Sequence, residues 1–96
     1  MQAEIDFSSE ALLDLQHFRA FEQRIILDGI EESLTRDAAV ESRKRKQLRR
    51  NVLAPWELRI GDYRVFYDPG KETVEVLSIG VKRHNELFIR GRKVVI

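Results

Sequence analysis

Residues 56–67 read Trp56-Glu57-Leu58-Arg59-Ile60-Gly61-Asp62-Tyr63-Arg64-Val65-Phe66-Tyr67, two alternating runs separated by a Gly-Asp pair. Glycine at the first of two loop positions suits a type II′ turn, whose twist matches that of the flanking strands, so the stretch predicts a tight hairpin. With Gly61 and Asp62 as the loop, Ile60 pairs with Tyr63, Arg59 with Arg64, Leu58 with Val65, Glu57 with Phe66 and Trp56 with Tyr67. One face then carries Trp56, Leu58, Ile60, Tyr63, Val65 and Tyr67, a continuous apolar surface able to sit on a core. The other face sets Arg59 opposite Arg64. Like charges opposed on a ladder are unfavourable, which leaves two readings: a bound anion joins them, or both guanidinium groups splay into solvent.

The segments around the hairpin read as one small α+β unit. After it, Asp68-Pro69-Gly70-Lys71 has the residue choice of a type II turn. Thr73 to Gly80 then reads as a strand whose near-continuous apolar run calls for a central position covered on both faces. Val81 to Asn85 is a polar loop or strand end, and Glu86 to Ile96 holds a last strand around Leu87 and Ile89 with an apolar tail. Before the hairpin, Arg43-Lys44-Arg45-Lys46-Gln47-Leu48-Arg49-Arg50 holds six bases and one apolar side chain. This basic arm predicts an irregular segment or a short edge strand, and Pro55 disfavours a helix running into Trp56.

At the start of the chain, Gln2 to Phe7 alternates as a half-buried strand, and Ser8 or Ser9 caps a helix whose apolar positions are Ala11, Leu12, Leu15 and Phe18. That helix should run to about Arg19. A second amphipathic helix follows with Phe21, Ile25, Ile26, Ile30 and Leu34 on its apolar side. Gly29 inside it costs roughly 1 kcal/mol relative to alanine, which packing offsets or a close helix contact explains. The expected fold is α+β: an N-terminal strand, a helical hairpin, then a three- to four-stranded, mainly antiparallel sheet with the helices on one face.

Ninety-six residues imply one domain spanning 1–96. There is no cysteine, and His17 and His84 stand alone, so the sequence offers neither disulfides nor a metal cluster, and no cofactor is expected. It has no leader-like apolar run and no span long enough for a bilayer, so the expectation is a soluble, cytoplasmic protein without membrane contact. The net charge of +1 conceals a division. Residues 1–42 hold ten acids against three bases, a balance of −7, whereas residues 43–96 hold fourteen bases against six acids, a balance of +8. A polyanion or an acidic partner is expected to engage the second part.

Arg43, Lys44, Arg45, Lys46, Arg49 and Arg50 can each neutralise a phosphate without reading sequence. A second constellation, Lys82, Arg83 and His84, lies beyond the apolar strand. Were that strand beside the hairpin, the cluster would approach the Arg59 and Arg64 face. Arginine clamps phosphoryl oxygens in bidentate fashion, lysine adds a point charge, and histidine exchanges a proton near neutrality. Glu57, two residues before Arg59 on the same face, could accept a proton or simply pair with an arginine.

The string from Trp56 to Tyr67, followed by Val76-Leu77-Ser78-Ile79-Gly80-Val81-Lys82-Arg83, resembles the RelE/ParE superfamily of bacterial type II toxins, and the order of elements agrees over nearly the whole chain. The resemblance implies a toxin held inactive by a cognate antitoxin, the pair acting on operator DNA only through the antitoxin. RelE-like members cut mRNA in the ribosomal A site without metal, by attack of a 2′-hydroxyl on the adjacent phosphate. On this resemblance Arg64 matches the family's hairpin arginine, Arg59 a strand base, and Lys82 or Arg83 the base after the long strand. RelE itself has a lysine where this chain has Glu57 and a tyrosine where Phe88 falls. Other members use a carboxylate and a histidine, roles that would fall to Glu57 and His84. ParE-like members share the scaffold, lack the nuclease set and inhibit DNA gyrase. The resulting expectation is a RelE-like, ribosome-dependent mRNA interferase, with a gyrase inhibitor or a non-catalytic binder of antitoxin or RNA as alternatives.

Overall fold

A computed structural model describes residues 2–96. In chain order the elements are β1 (Glu4–Phe7), α1 (Ser9–Gln16), α2 (Ala20–Leu34), β2 (Arg45–Gln47), β3 (Trp56–Ile60), β4 (Tyr63–Pro69), β5 (Thr73–Arg83), β6 (Glu86–Ile89) and β7 (Arg92–Val94). The central hairpin forms in the register its sequence implies, from Ile60 opposite Tyr63 to Trp56 opposite Tyr67. Gly61 takes φ 58° and Asp62 keeps a negative φ, the combination a II′ turn needs.

The sheet has seven strands in the order β2-β3-β4-β5-β6-β7, with β1 added to β5. It is larger than the expected three or four strands because the basic arm contributes β2 and the C-terminal segment divides into β6 and β7. Arg90 and Gly91, both at positive φ, make the turn between those two. Strand β5 organises the whole. One edge pairs with β4, while the other is shared: β1 runs parallel beside Thr73–Val76 and β6 antiparallel beside Val81–Arg83. A bulge lets Phe66 oppose Ser78 while Tyr67 opposes Val76, leaving Leu77 as the extra residue. The bulge keeps Val74, Val76 and Ile79 in the core beneath the helices and puts Leu77 with the cluster on the opposite face.

The turn after β4 differs from expectation. Pro69 remains in the strand opposite Val74, and the Gly70 N–H donates to the Thr73 carbonyl at 2.9 Å, so the reversal spans 70–73 rather than 68–71. Gly70 does not take the positive φ of a type II turn. Strand β3 stops opposite Tyr67, so no ladder on that side requires the N–H that Pro69 lacks.

Both helices lie on one sheet face as a helical hairpin. Ser8 caps α1, its hydroxyl accepting from Ala11 N–H at 3.0 Å. The helix ends at Gln16, short of Arg19, and its buried positions are Ala11, Asp14 and Leu15; Leu12 is turned outward instead. In α2 the inward positions are Ile26, Ile30, Ser33 and Leu34, whereas Phe21 and Ile25 are 60% and 44% exposed, which corrects their place on the apolar side. Gly29 marks a close contact: a Cβ there would lie 2.5 Å from Ile60 Cδ1. The core between helices and sheet also holds Leu58, Val65 and Tyr67. The Tyr67 hydroxyl donates to the Ala38 carbonyl at 2.7 Å, and burial pushes its pKa far up.

The open edge of β5 between β1 and β6 is closed by side chains. Ser8 Oγ donates to the Leu77 carbonyl at 3.1 Å, and Asp14 Oδ2 accepts from Ser78 Oγ at 2.9 Å and Ile79 N–H at 3.0 Å. Asp14 is 1% exposed, and its second oxygen lies 2.9 Å from Arg90 Nε. A backbone edge left unpaired in the interior would cost free energy, so this aspartate replaces a missing length of strand.

Candidate nucleic-acid interface

Because side chains alternate along a strand, the register fixes which residues leave the helix-free face of the sheet. Glu57, Arg59, Arg64 and Phe66 do so from the central hairpin; Lys46 comes from β2 opposite Glu57, and Lys82 from β5 opposite Leu87. An apolar cluster of Phe66, Leu87 and Ala54, flanked by Leu48, Leu53, Leu77, Ile89 and Val94, covers the adjoining area. Asn51 holds the covering loop with four hydrogen bonds. Its Oδ1 accepts from Leu53 N–H (2.7 Å) and Ala54 N–H (3.1 Å), and its Nδ2 donates to the Arg49 (2.7 Å) and Ala54 (2.9 Å) carbonyls. The face is therefore apolar beside the β6–β7 strands, basic toward the hairpin turn, and acidic at the far end, where Asp6, Asp68 and Glu75 come together.

At the basic end Glu57 is 6% exposed and its Oε1 lies 3.4 Å from Arg64 Nε. The Arg64 guanidinium folds back on the turn, Nη1 donating to the Gly61 carbonyl at 2.7 Å and the Tyr63 carbonyl at 2.9 Å. Its Nε is buried without a hydrogen-bond partner, the Glu57 contact being an ion pair of poor angle. Burial lowers the pKa of Arg64, Glu57 opposes that shift, and the facing Arg59 reinforces it. Thus the opposed arginines are tolerated for two reasons: Arg64 is neutralised diagonally by Glu57, and Arg59 is exposed.

The other residues singled out in the sequence separate. Lys82 joins the site: it follows Gly80, which is paired with Arg64, by two residues, and its N–H donates to the Asp62 carbonyl at 2.8 Å. Arg83 leaves the opposite face, where its charge helps lower the pKa of Glu22. His84 and Asn85, at φ 53° and 65°, form the exposed tip between β5 and β6. Phe88 pairs with Val81 on the helix side and lines a groove of about 290 Å3 with Phe18, Arg19 and Arg83. Within the basic arm Arg45 is structural, its Nε donating to the Val40 carbonyl (2.9 Å) and Nη1 to the Ser33 carbonyl (3.2 Å) near the end of α2. Arg43, Lys44, Arg49 and Arg50 are exposed, with the Lys44 carbonyl accepting from Arg59 N–H at 2.8 Å.

A groove of about 520 Å3 lies away from this face, between residues 2–4, 34–40 and 69–74. Its lining mixes bases (Arg36, Lys71) with acids (Glu4, Asp37, Glu72), so no single sign of charge prevails there. Among the described residues no three of His, Asp and Glu are grouped as metal ligands. No helix among them is long and apolar enough to cross a membrane. What the site can do chemically is hold an anion across β2, β3, β4 and β5, with one nearly buried carboxylate in its midst.

Comparison with known proteins agrees with this architecture. A chain of the toxin–antitoxin complex RelBE2 from Mycobacterium tuberculosis superposes with a TM-score of 0.71 at 24% identity, covering 85% of this chain and 93% of that one. The archaeal RelE–RelB complex from Pyrococcus horikoshii gives 0.65 at 17% identity, covering 88% and 99%. The YoeB dimer from Staphylococcus aureus gives 0.63 at 22%, with the same coverage of 88% and 99%. No curated protein matches the chain. A family model described as the ParE toxin of the type II toxin–antitoxin system, parDE, matches residues 5–86, and on that match the chain belongs to this family of type II toxins, within the RelE/ParE superfamily.

Proposed function

We propose that this toxin is a RelE-like mRNA interferase acting on the ribosome. The observation that carries the reading is the convergence of Lys46, Arg59, Arg64 and Lys82 around the nearly buried Glu57 on the helix-free face. In such a reaction the 2′-hydroxyl loses its proton and attacks the adjacent phosphate. The 5′-oxygen leaves with a proton, giving a 2′,3′-cyclic phosphate. Arg59, Arg64 and Lys82 would stabilise charge on the non-bridging oxygens and Glu57 would take the proton, while the leaving oxygen would draw its proton from water, because His84 sits apart at the turn tip. Arg43, Lys44, Lys46, Arg49 and Arg50 would hold flanking phosphates, with affinity falling steeply as salt rises.

A cognate antitoxin is the protein partner, by extension from the toxin–antitoxin complexes that share the fold. Phe21 and Ile25, one turn apart and exposed on α2, offer an apolar stripe for it, and operator DNA would be met only through that partner. A single domain over 1–96, working in the cytoplasm, belongs to the same proposal.

A ParE-like inhibitor of DNA gyrase is the second reading. The family match favours it, as do Phe88 on the helix side and Glu57 already paired with Arg64. Brief expression in bacteria separates the two. Translation arrest with A-site cuts, lost in Arg64→Ala, is the expected result; persistent translation with a DNA-damage response overturns it in favour of gyrase.

A further inference from the structure

At the hairpin end of a face that gathers bases from four strands, Glu57 is nearly buried and lies against the partly buried guanidinium of Arg64. Glu57 and Arg64 side chains are 8% and 13% exposed. Around them, β2 contributes Lys46, β3 Arg59 and β5 Lys82, so the electrostatics of this end of the face would favour an incoming anion except at Glu57, while Asp6, Asp68 and Glu75 lie together at the far end. Arg64 is held by three groups, Glu57 and the Gly61 and Tyr63 carbonyls, yet its Nε has no hydrogen bond. That is a partly satisfied arrangement. A phosphate offers the same guanidinium two well-aligned charged acceptors, which is the stronger geometry.

We infer that Glu57 is a latch that occupies Arg64 in the free toxin and competes with a phosphodiester for it, so that anion binding requires Arg64 to leave Glu57 and the turn. The latch rests on the reading of this face as an RNA site and concerns its regulation. It keeps the strongest anion clamp closed toward stray anions. An RNA seated by Arg59, Lys82 and Lys46 brings its phosphate close enough to exchange for the carboxylate. The exchange releases Glu57 beside the bound phosphate.

The test is binding of a short 2′-O-methyl RNA, which cannot be cut, and of inorganic phosphate, to the purified full chain. Glu57→Gln keeps the shape and removes the competing charge. It should tighten both ligands by roughly tenfold, the scale expected for one charge beside a partly buried partner. Glu57→Asp, with its carboxylate drawn back, should fall between Glu57→Gln and wild type. Arg64→Ala should weaken binding, and in its presence Glu57→Gln should tighten binding clearly less than in wild type, since only the direct repulsion by the carboxylate is then removed. If Glu57→Gln binds no more tightly while Arg64→Ala still weakens binding, the latch is wrong and the RNA site stands. If Arg64→Ala, Arg59→Ala and Lys82→Ala all leave binding unchanged, the site reading itself fails. Should Glu57→Gln not fold, the Arg64 Nε–H resonance of the wild type decides. A shift on phosphate addition that coincides with a change at the Glu57 carboxyl supports exchange, and an unmoved resonance at saturating phosphate overturns it.

Discussion

The two faces of one sheet solve opposite problems with side chains that alternate along the same strands. Leu58 and Arg59 are neighbours in β3, but the first is 0% exposed beneath the helices and the second is exposed on the bare face. Under the helices, apart from Asp14 and its partners at the β5 edge, the side chains are mostly apolar and interlocked, so shape decides. On the bare face a nearly buried carboxylate, an incompletely bonded arginine and a row of bases are kept together although a wholly apolar surface would pack as well. The difference teaches how the two faces divide their work: the helix side stabilises the fold, and the bare side retains polar groups whose benefit is not stability, in keeping with the proposed RNA site.

The largest effect should come where the two regions meet, at Asp14. Asp14→Ala strands the buried Ser78 Oγ and Ile79 N–H without their acceptor, leaving Arg90 to Glu10 alone, and should cost about 3–5 kcal/mol by urea denaturation. An unchanged midpoint would mean that water serves the β5 edge equally well. Next, Leu58→Ala should cost about 2–5 kcal/mol through lost burial and the cavity it leaves. Its neighbour supplies the contrast. Arg59→Ala should stay within about 0.5 kcal/mol of wild type while weakening RNA binding and lowering the salt slope by about one. Comparable destabilisation by both changes would erase the distinction between the faces.

Gly29→Ala sharpens the helix side further. On an isolated helix it would stabilise by about 1 kcal/mol, but here the new Cβ meets Ile60 at 2.5 Å, and a net loss of about 1–3 kcal/mol is expected. Gly29→Ala with Ile60→Val should recover part of it. The smallest effect concerns Glu22, whose carboxyl is held below its ordinary range by the Tyr63 hydroxyl at 2.8 Å and then by the Arg19 N–H. A depressed carboxylate stabilises the fold above its unfolded pKa and loses that contribution as pH falls through the folded one. Tyr63→Phe should therefore narrow the stability difference between neutral and acid conditions, by well under about 1 kcal/mol given the exposure of Glu22. A gap that stays as wide in Tyr63→Phe as in wild type would show that the hydroxyl does not hold Glu22.

Residues 56–67 determined by themselves a hairpin, its turn and every pair in its register, because alternation and a two-residue Gly-Asp loop leave one solution in which a single face is apolar. The family was legible there too. The helices were legible as elements but not in their rotation: Phe21 and Ile25 look like core, and Asp14 does not. Only the tertiary structure decided that, because β5 is served by β1 at one end and β6 at the other, and the gap between them demands a polar acceptor on α1 where periodicity would place a leucine. In the same way proximity in sequence joined Lys82, Arg83 and His84, whereas strand alternation sent Lys82 to the basic face, Arg83 to the helices and His84 to a turn tip. The opposed arginines could be seen in the sequence. That Glu57 neutralises one of them depends on burial and on a side chain folding back over its own turn, which no linear pattern encodes.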